Sequence, residues 1–366
     1  MTGPRRLTRM VGLGAALVSA VVLIALPPAD RQPVSQSSTS TLAEVWPDAQ
    51  RADIPVGVSD GPAYSPVYFR DVRTSLGTAP NPEGTHLRLV ARAADGALRE
   101  LRRLPLARSP QFGGFAIAGD QVAWAESTAD ADGRGRTELW AVDLASERPA
   151  RRLTTDTGDL LLFNSEYDMV IDNNRLYWAA GAPGEESATE VRSVSLAGGP
   201  VSVRTEPGAW AMSAWPWLVS AGSGISGPVR LYHLEERRTV DVDAGTDLVS
   251  CSPTWCRALV RTDGGESRID LMRPDGSDRR QIAGGAASAS VIDVAILDRF
   301  EVLSLSDAQR TVTDTQQLLL YDVQRRQTVL VAEGVGMVLC RDGVLWWSTG
   351  GTEIVAWHTL DLRTLR

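Results

Sequence analysis

With 366 residues, 43% of them hydrophobic, the chain has material for a large buried core, as two ordinary domains or one repeat ring, and disorder is excluded for most of it. Net charge is −8; Arg5, Arg6, Arg9 and Asp30 give residues 1–30 a charge of +2, so the remainder carries −10 and repels phosphate backbones and anionic lipid heads, which sets nucleic-acid and membrane-surface binding aside. Lysine is absent, so all 37 basic residues are arginine, and phosphate-loop, Schiff-base and lysine-base chemistry are excluded.

At the N-terminus, "MTGPRRLTRM VGLGAALVSA VVLIALPPAD" sets arginines ahead of an apolar run from Val11 to Leu26. That order is the layout of a secretory signal, or of an uncleaved anchor, over residues 1–29. The run is shorter than the ~20 residues a relaxed membrane span needs. Either reading places the body outside the cytoplasm. Residues 30–45, with "RQPVSQSSTSTLAE", are polar, rich in Ser and Thr, and read as a flexible tether.

From about residue 60 a pattern recurs: apolar strand, Gly/Asp/Asn turn, second strand, variable loop, third strand, short turn, fourth strand. Second and third strands run "RTSLGTAP" and "HLRLVARAADG", "QVAWAE" and "TELWAVDL", "RLYWAAG" and "EVRSVSL", "WLVSAGS" and "VRLYHLEE", "RALVRT" and "RIDLMRPDG", "FEVLSLSD" and "QLLLYDVQ", "VLWWSTGG" and "IVAWHTLDL". Fourth strands are "LRELRRLP", "ARRLTTD", "VSVRTEPG", "RTVDVDAG", "RRQIAGG" and "TVLVAEG". Seven pairs thus meet six fourth strands. A ring closes if the segment "ADIPVGVSD" supplies the missing one. The expectation is an all-β, seven-bladed β-propeller over residues 46–366 closed by an N-terminal strand, with six blades as the alternative should the first copy be irregular. Little helix is expected outside residues 1–29.

Repeats such as "WAVDLASERPARRLTTD", with an Asp-containing turn and an Arg-Leu-Thr ending, resemble the propeller repeats of TolB-like proteins, in their secreted or membrane-tethered actinobacterial versions. The resemblance spans residues 60–366. It implies a periplasmic or extracellular interaction platform. The separate N-terminal α/β domain of TolB and the hydrolase domain of prolyl-oligopeptidase relatives have no counterpart in the sequence, so translocation through an outer-membrane system is not implied.

"CSPTWC" places Cys251 at the end of an inner strand and Cys256 at the start of the next, with Pro253 and Thr254 in the turn. Neighbours across a hairpin lie within disulfide range. A zinc site wants four ligands, and only Cys340 remains, without a histidine pair. A redox pair would normally be CxxC at a helix start. A structural disulfide is therefore expected, with Cys340 a buried thiol.

No GxSxG elbow, HExxH or Walker loop occurs, and "DADGRGRTE" lacks the full calcium ligand set, so neither cofactor nor metal is expected. His86, His233 and His358 fall in or beside predicted strands and read as structural. Trp124, Trp140, Trp178, Trp346, Trp347 and Trp357 fall on strands too, and Trp215 or Trp217 is expected between blades. Ligands of propellers gather around the axis. Just ahead of or within the inner strands stand Tyr64, Phe112, Tyr167 and Trp210, a candidate rim for peptide or sugar rings, with ordinary inter-blade packing as the competing reading. Asp71, Arg73, Gln111, Glu126 and Glu166 are the candidate polar contacts around it.

The reading is a monomeric, non-enzymatic envelope module whose axial face binds a protein segment or cell-wall component, with membrane contact only through the N-terminal segment. The alternatives are an enzyme acting on a carbohydrate or lactone through axial carboxylates, and an anchored ligand sensor. Two or more carboxylates in a deep, partly apolar axial pocket would favour the enzyme.

Overall fold

The computed structural model describes residues 39–366, apart from 62, 131, 185–186, 221–228, 246, 262–266, 307–315 and 351–354. The segment 1–29 read as signal or anchor and most of the tether lie outside the described residues. Among those described, no helix is long and apolar enough to cross a membrane.

The first strand, β1 (Arg51–Ile54), stands apart from the four antiparallel strands that follow: β2 (Ser65–Phe69), β3 (Ser75–Pro80), β4 (His86–Arg92) and β5 (Leu98–Pro105). The second meander is β6 (Gln111–Ala118), β7 (Gln121–Ala129), β8 (Gly135–Asp143) and β9 (Arg151–Thr154). In the third, the inner position is split between β10 (Asp159–Leu160) and β11 (Met169–Asp172), both paired with β12 (Arg175–Gly181); β13 (Ala188–Ser195) and β14 (Ser202–Pro207) follow. The fourth holds β15 (Trp210–Met212), β16 (Trp217–Ser220), β17 (Arg230–His233) and β18 (Arg238–Asp241). The fifth holds β19 (Leu248–Cys251), β20 (Cys256–Arg261), β21 (Ser267–Met272) and β22 (Arg280–Gly284).

The last sheet joins two such units. β23 (Ala287–Ala289), β24 (Phe300–Ser306) and β25 (Gln316–Asp322) pair in sequence, and the long β26 (Gln327–Arg341) completes them. Beyond a register shift between Val335 and Val338, β26 becomes the inner strand for β27 (Val344–Thr349) and β28 (Ala356–Asp361). On the far side of β28 lies β1, paired from Arg51↔Leu360 to Ile54↔Trp357. The N-terminal segment thus supplies an outer strand, as the count of strands in the sequence requires.

Strand burial explains the sequence pattern. Several second strands are covered on both faces and are largely apolar, Val122–Glu126 of β7 and Phe300–Ser304 of β24 being buried throughout, with Glu126 and Glu301 as buried charges within them. Outer strands such as β9 and β18 are mostly exposed and carry arginines, which discourages pairing with another chain. Apolar faces of successive meanders pack on each other: Ala123 and Leu139 of the second meet Leu176, Trp178 and Val194 of the third in one cluster. Ahead of β1, the chain is held from Ser40 onward, inside the stretch read as tether. Leu330 N donates to Ser40 O at 2.9 Å, a helical turn spans Leu42–Val45, and Leu42 and Trp46 are buried, Trp46 lying edge-on to Phe300.

Candidate functional site

Two inner strands depart from the repeat. Between β10 and β11, residues 162–168 leave their sheet, in a path set by local turn chemistry, while Leu161 N still donates to Ala179 O of β12. Asn164 takes the left-handed conformation (φ 65°), Tyr167 N donates to Ser165 Oγ, and Phe163 N donates to both carboxylate oxygens of Asp168 at 2.9 and 3.0 Å. Between β23 and β24, residues 290–299 make a second excursion. Ala295, Leu297 and Asp298 all adopt positive φ there, a strained choice for residues with side chains. The fully buried Glu301 holds it, accepting from Ala295 N at 2.8 Å and from the Arg257 guanidinium.

The excursions meet. Ser165 Oγ donates to Asp293 Oδ1 at 2.5 Å and Glu166 N to Asp293 Oδ2 at 3.0 Å. At the end of β26, Arg341 donates to Ser165 O at 3.0 Å, and Asp342 N donates to Glu166 Oε2 at 2.7 Å. The third meander is thereby fastened to both halves of the last sheet.

Against this clamp lies a cavity of about 510 Å³ to which every meander contributes. Tyr68 comes from β2, Phe115–Ile117 from β6, Glu166 and Tyr167 from the excursion before β11. Trp215 and Trp217 come from the β15–β16 turn and the start of β16, Ser252–Thr254 from the β19–β20 turn, Leu297 and Asp298 from the second excursion, and Arg341–Gly343 from the end of β26 and its turn. Asp298 and Asp342 are exposed at its mouth, whereas Glu166 is partly buried. The carboxylates take protein donors: Tyr68 OH donates to Asp342 Oδ2 at 3.1 Å and Thr254 Oγ1 to Asp298. A second, more apolar cavity of about 220 Å³, lined by Phe163, Met212, Val249 and Cys251, shares Tyr167, Ser252 and Val294 with the first.

Charge in the clamp is unbalanced. Burial, then the charge of Asp293, pushes the Glu166 carboxyl above its ordinary range; burial raises Asp293 too, and raises Asp168 to about 6. The neighbouring Cys340 thiol is held well up, by burial first and then by the charges of Glu166 and Asp293. Arg341 is the cation bonded directly to this group.

Of the rim and contact residues expected from the sequence, Glu166 and Tyr167 line the large cavity. Tyr64 is 2% exposed, bonds Ser75 Oγ at 2.8 Å and fills the space over Gly77, where a Cβ would lie 2.5 Å from its ring. Trp210 is buried against Tyr232, its indole N–H donating to Pro207 O. Phe112 packs with the β2–β7 core, while Gln111 is exposed at the start of β6. Glu126 is buried in a bidentate pair with Arg102 at 2.7 and 3.1 Å, tying the first meander to the second. Asp71 caps the β2–β3 turn, accepting from Arg73 N and Thr74 N, and Arg73 is exposed. Tyr64, Gln111, Phe112 and Trp210 stand at the openings of inner strands, whereas the cavity gathers at the strands' far ends; Asp71 and Arg73 lie at that far end, in the β2–β3 turn, but do not line the cavity, and Glu126 belongs to β7. Trp215 packs on Tyr177 of the third meander, ring centroids 4.2 Å apart, and Trp217 packs against the core shared by the fourth and fifth meanders, as expected of one of them, and both also line this cavity. Reasoning from the sequence passed over Ser165, Asp293, Arg341, Asp342 and Asp298. The one available signal was the unusual length of chain between fourth and second strands, "DTGDLLLFNSEYDMVID" and "GGAASASVIDVAILDRF".

The disulfide is present: Cys251 and Cys256 pair directly across β19–β20 with Cα atoms 4.1 Å apart, and Cys340 is a free, buried thiol.

No protein-family profile matches the sequence, and no curated protein matches it. Among solved structures, the chain is similar to a Mycobacterium tuberculosis puromycin-hydrolyzing peptidase at 14% identity and TM-score 0.51, over 86% of this chain and 55% of that one. The β-propeller domain of the Trilobed protease from Pyrococcus furiosus matches at 10% identity and TM-score 0.43, over 67% and 79% of the two chains. A putative TolB from Agrobacterium tumefaciens matches at 13% identity and TM-score 0.40, over 65% and 84%. The chain spans little more than half of the mycobacterial peptidase, and at this identity the likeness is one of fold. The class defined here is all-β, built of consecutive four-stranded antiparallel meanders as in β-propellers.

Proposed function

We propose that the protein is a seven-bladed, TolB-like β-propeller acting outside the cytoplasm as a monomeric, non-enzymatic binding module. Its ligand, a segment of an envelope protein or a cell-wall component, enters the cavity between the clamp and the turns around it. The observation that carries this reading is a cavity of about 510 Å³ lined from every meander, large enough for a side chain or sugar ring and walled by Tyr68, Tyr167, Trp215 and Trp217. Seven blades follow if the last sheet is counted as two units sharing β26, with β1 closing the second. Export is supported by the basic-then-apolar N-terminus and by a disulfide, which persists in oxidising compartments. With its apolar segment retained, the same body serves as an anchored sensor.

The lining includes no histidine, cysteine or lysine, and Glu166, Asp298 and Asp342 each accept a bond from the protein itself. Those same three carboxylates support a second reading. A carboxyl held above its ordinary range, as Glu166 is, suits a general acid, so carbohydrate or lactone cleavage is the alternative. Proximity cross-linking from intact cells, wild type against Tyr167→Ala, separates the two. A partner enriched by the wild type and lost in the variant supports the binding module. Turnover of a glycoside or lactone by the purified protein, abolished in Glu166→Gln, would replace it with the enzyme.

A further inference from the structure

Within that binding reading, the geometry points to a peptide segment carrying a basic side chain beside an acidic one as the ligand of this face. Among the described residues the cavity's charged lining is Glu166, Asp298 and Asp342 against Arg341, and Arg363 stands 3.6 Å from Asp342 from outside the lining, so an excess of one negative charge remains when all are ionised. Arg341 is itself buried and turned toward Ser165 O and Asn164. A carboxylate offers about four acceptor sites, so the bonds made within the protein leave capacity for an incoming donor. The aromatic walls suit a guanidinium or ammonium, whose charge is attracted to ring faces.

Beside it, sharing Thr254 and Asp298, lies a pocket of about 360 Å³ with the opposite sign. Arg273, Arg280 and Arg326 line it against Asp278 and Asp298. Arg273 stacks on Trp255, 3.7 Å from the ring centroid, with Arg280 at 5.2 Å, an arrangement that fixes both guanidinium planes. Arg326 is more mobile in its options: it is 69% exposed and stands 3.8 Å from Asp278. An anionic group leaving the acidic cavity therefore meets arginine at once. A uniformly basic or uniformly acidic ligand satisfies one pocket and is repelled by the other.

The test is calorimetric titration of the full exported chain with four capped dipeptides: acetyl-Arg-Asp-amide, acetyl-Asp-Arg-amide, acetyl-Arg-Ala-amide and acetyl-citrulline-Asp-amide. One of the two mixed-charge peptides binds tightest. Replacing Arg by citrulline, which keeps the shape and removes the charge, weakens binding about tenfold. Asp342→Asn weakens every arginine peptide about fivefold, whereas Arg326→Ala removes the advantage of the Asp-containing peptide and leaves acetyl-Arg-Ala-amide unchanged. Equal binding of the citrulline and arginine peptides overturns the inference. So does an absence of binding by all four while the Tyr167-dependent partner is still captured from cells, and in that case the binding module itself stands. Loss of both peptide binding and capture removes the two together.

Discussion

Asp168 allows the electrostatics of the clamp to be measured in a single substitution. The residue is 4% exposed, accepts two bonds from Phe163 N, and has Arg341 and Asp293 as its charged neighbours. Burial raises its pKa from an ordinary 3.8 to about 6. In the interval between those values the folded protein holds a proton that the unfolded chain has released. Stability from this group is therefore complete below about pH 4 and is lost as pH rises through about 6. About two pKa units correspond to roughly 3 kcal/mol. Asp168→Asn keeps an acceptor for Phe163 N and cannot ionise. Denaturant unfolding of both proteins at fixed ionic strength, from pH 4 to pH 7.5, should show the variant gaining about 2.5 kcal/mol relative to the wild type across that range, the rest of the effect falling below pH 4. Any constant offset from the new amide cancels in the comparison. A difference that stays flat with pH, or that grows in the wild type's favour, refutes the assignment of Asp168 as a carboxyl kept neutral by burial.

Three further outcomes follow from the packing. Alkylation of the denatured, unreduced protein should find one reactive thiol, Cys340, and replacing Cys251 and Cys256 by Ser should cost about 2 kcal/mol for so short a loop; three thiols would remove the disulfide. Trp46→Ala, which empties the buried contact with Phe300, should lower stability by about 3–5 kcal/mol, and an unchanged midpoint would mean that the segment ahead of β1 does not brace the sheet. Trp210→Ala should cost a similar amount, whereas Tyr167→Ala, which removes a partly buried ring from the edge of the same cluster, should cost less, about 1–2 kcal/mol, and act on ligand capture; the reverse pattern would return Trp210 to the binding face.

The strands were legible because a strand is written locally. "QVAWAE" or "VLWWST" announces a chain segment covered on both faces wherever it occurs, and Gly, Asp and Asn punctuate the turns. The pairing of β1 with β28 followed from counting. The site was only half legible because it is made of departures from the repeat, and their consequence is non-local: Ser165 and Asp293 are 128 residues apart, Glu166 and Asp342 176. Equivalence between repeats misled in the opposite direction. Tyr64 and Trp210 open their inner strands at comparable positions, and both are used in packing, Tyr64 over Gly77 of its own sheet and Trp210 in the core shared by the third and fourth meanders. Glu166 reaches the cavity from the excursion, and Tyr167 lines the cavity while still packing against the cluster that holds Trp210.

The second excursion is held in place by buried charge. Glu301, fully buried, takes Arg257 and Ala295 N and so fixes the second excursion from beneath, while Asp322, also fully buried, takes Arg299 at the same excursion's end. Breaking such a pair strands a charge in the interior, which commonly costs 3–5 kcal/mol, so these pairs hold position more firmly than exposed ones. The carboxylates facing the cavity are set differently. Asp298 and Asp342 lie in solvent at the mouth, with side chains free to exchange one donor for another at little cost. Firmly held charge thus lies behind the cavity and exposed carboxylates at its entrance, a division that would suit the charge-selective binding proposed above.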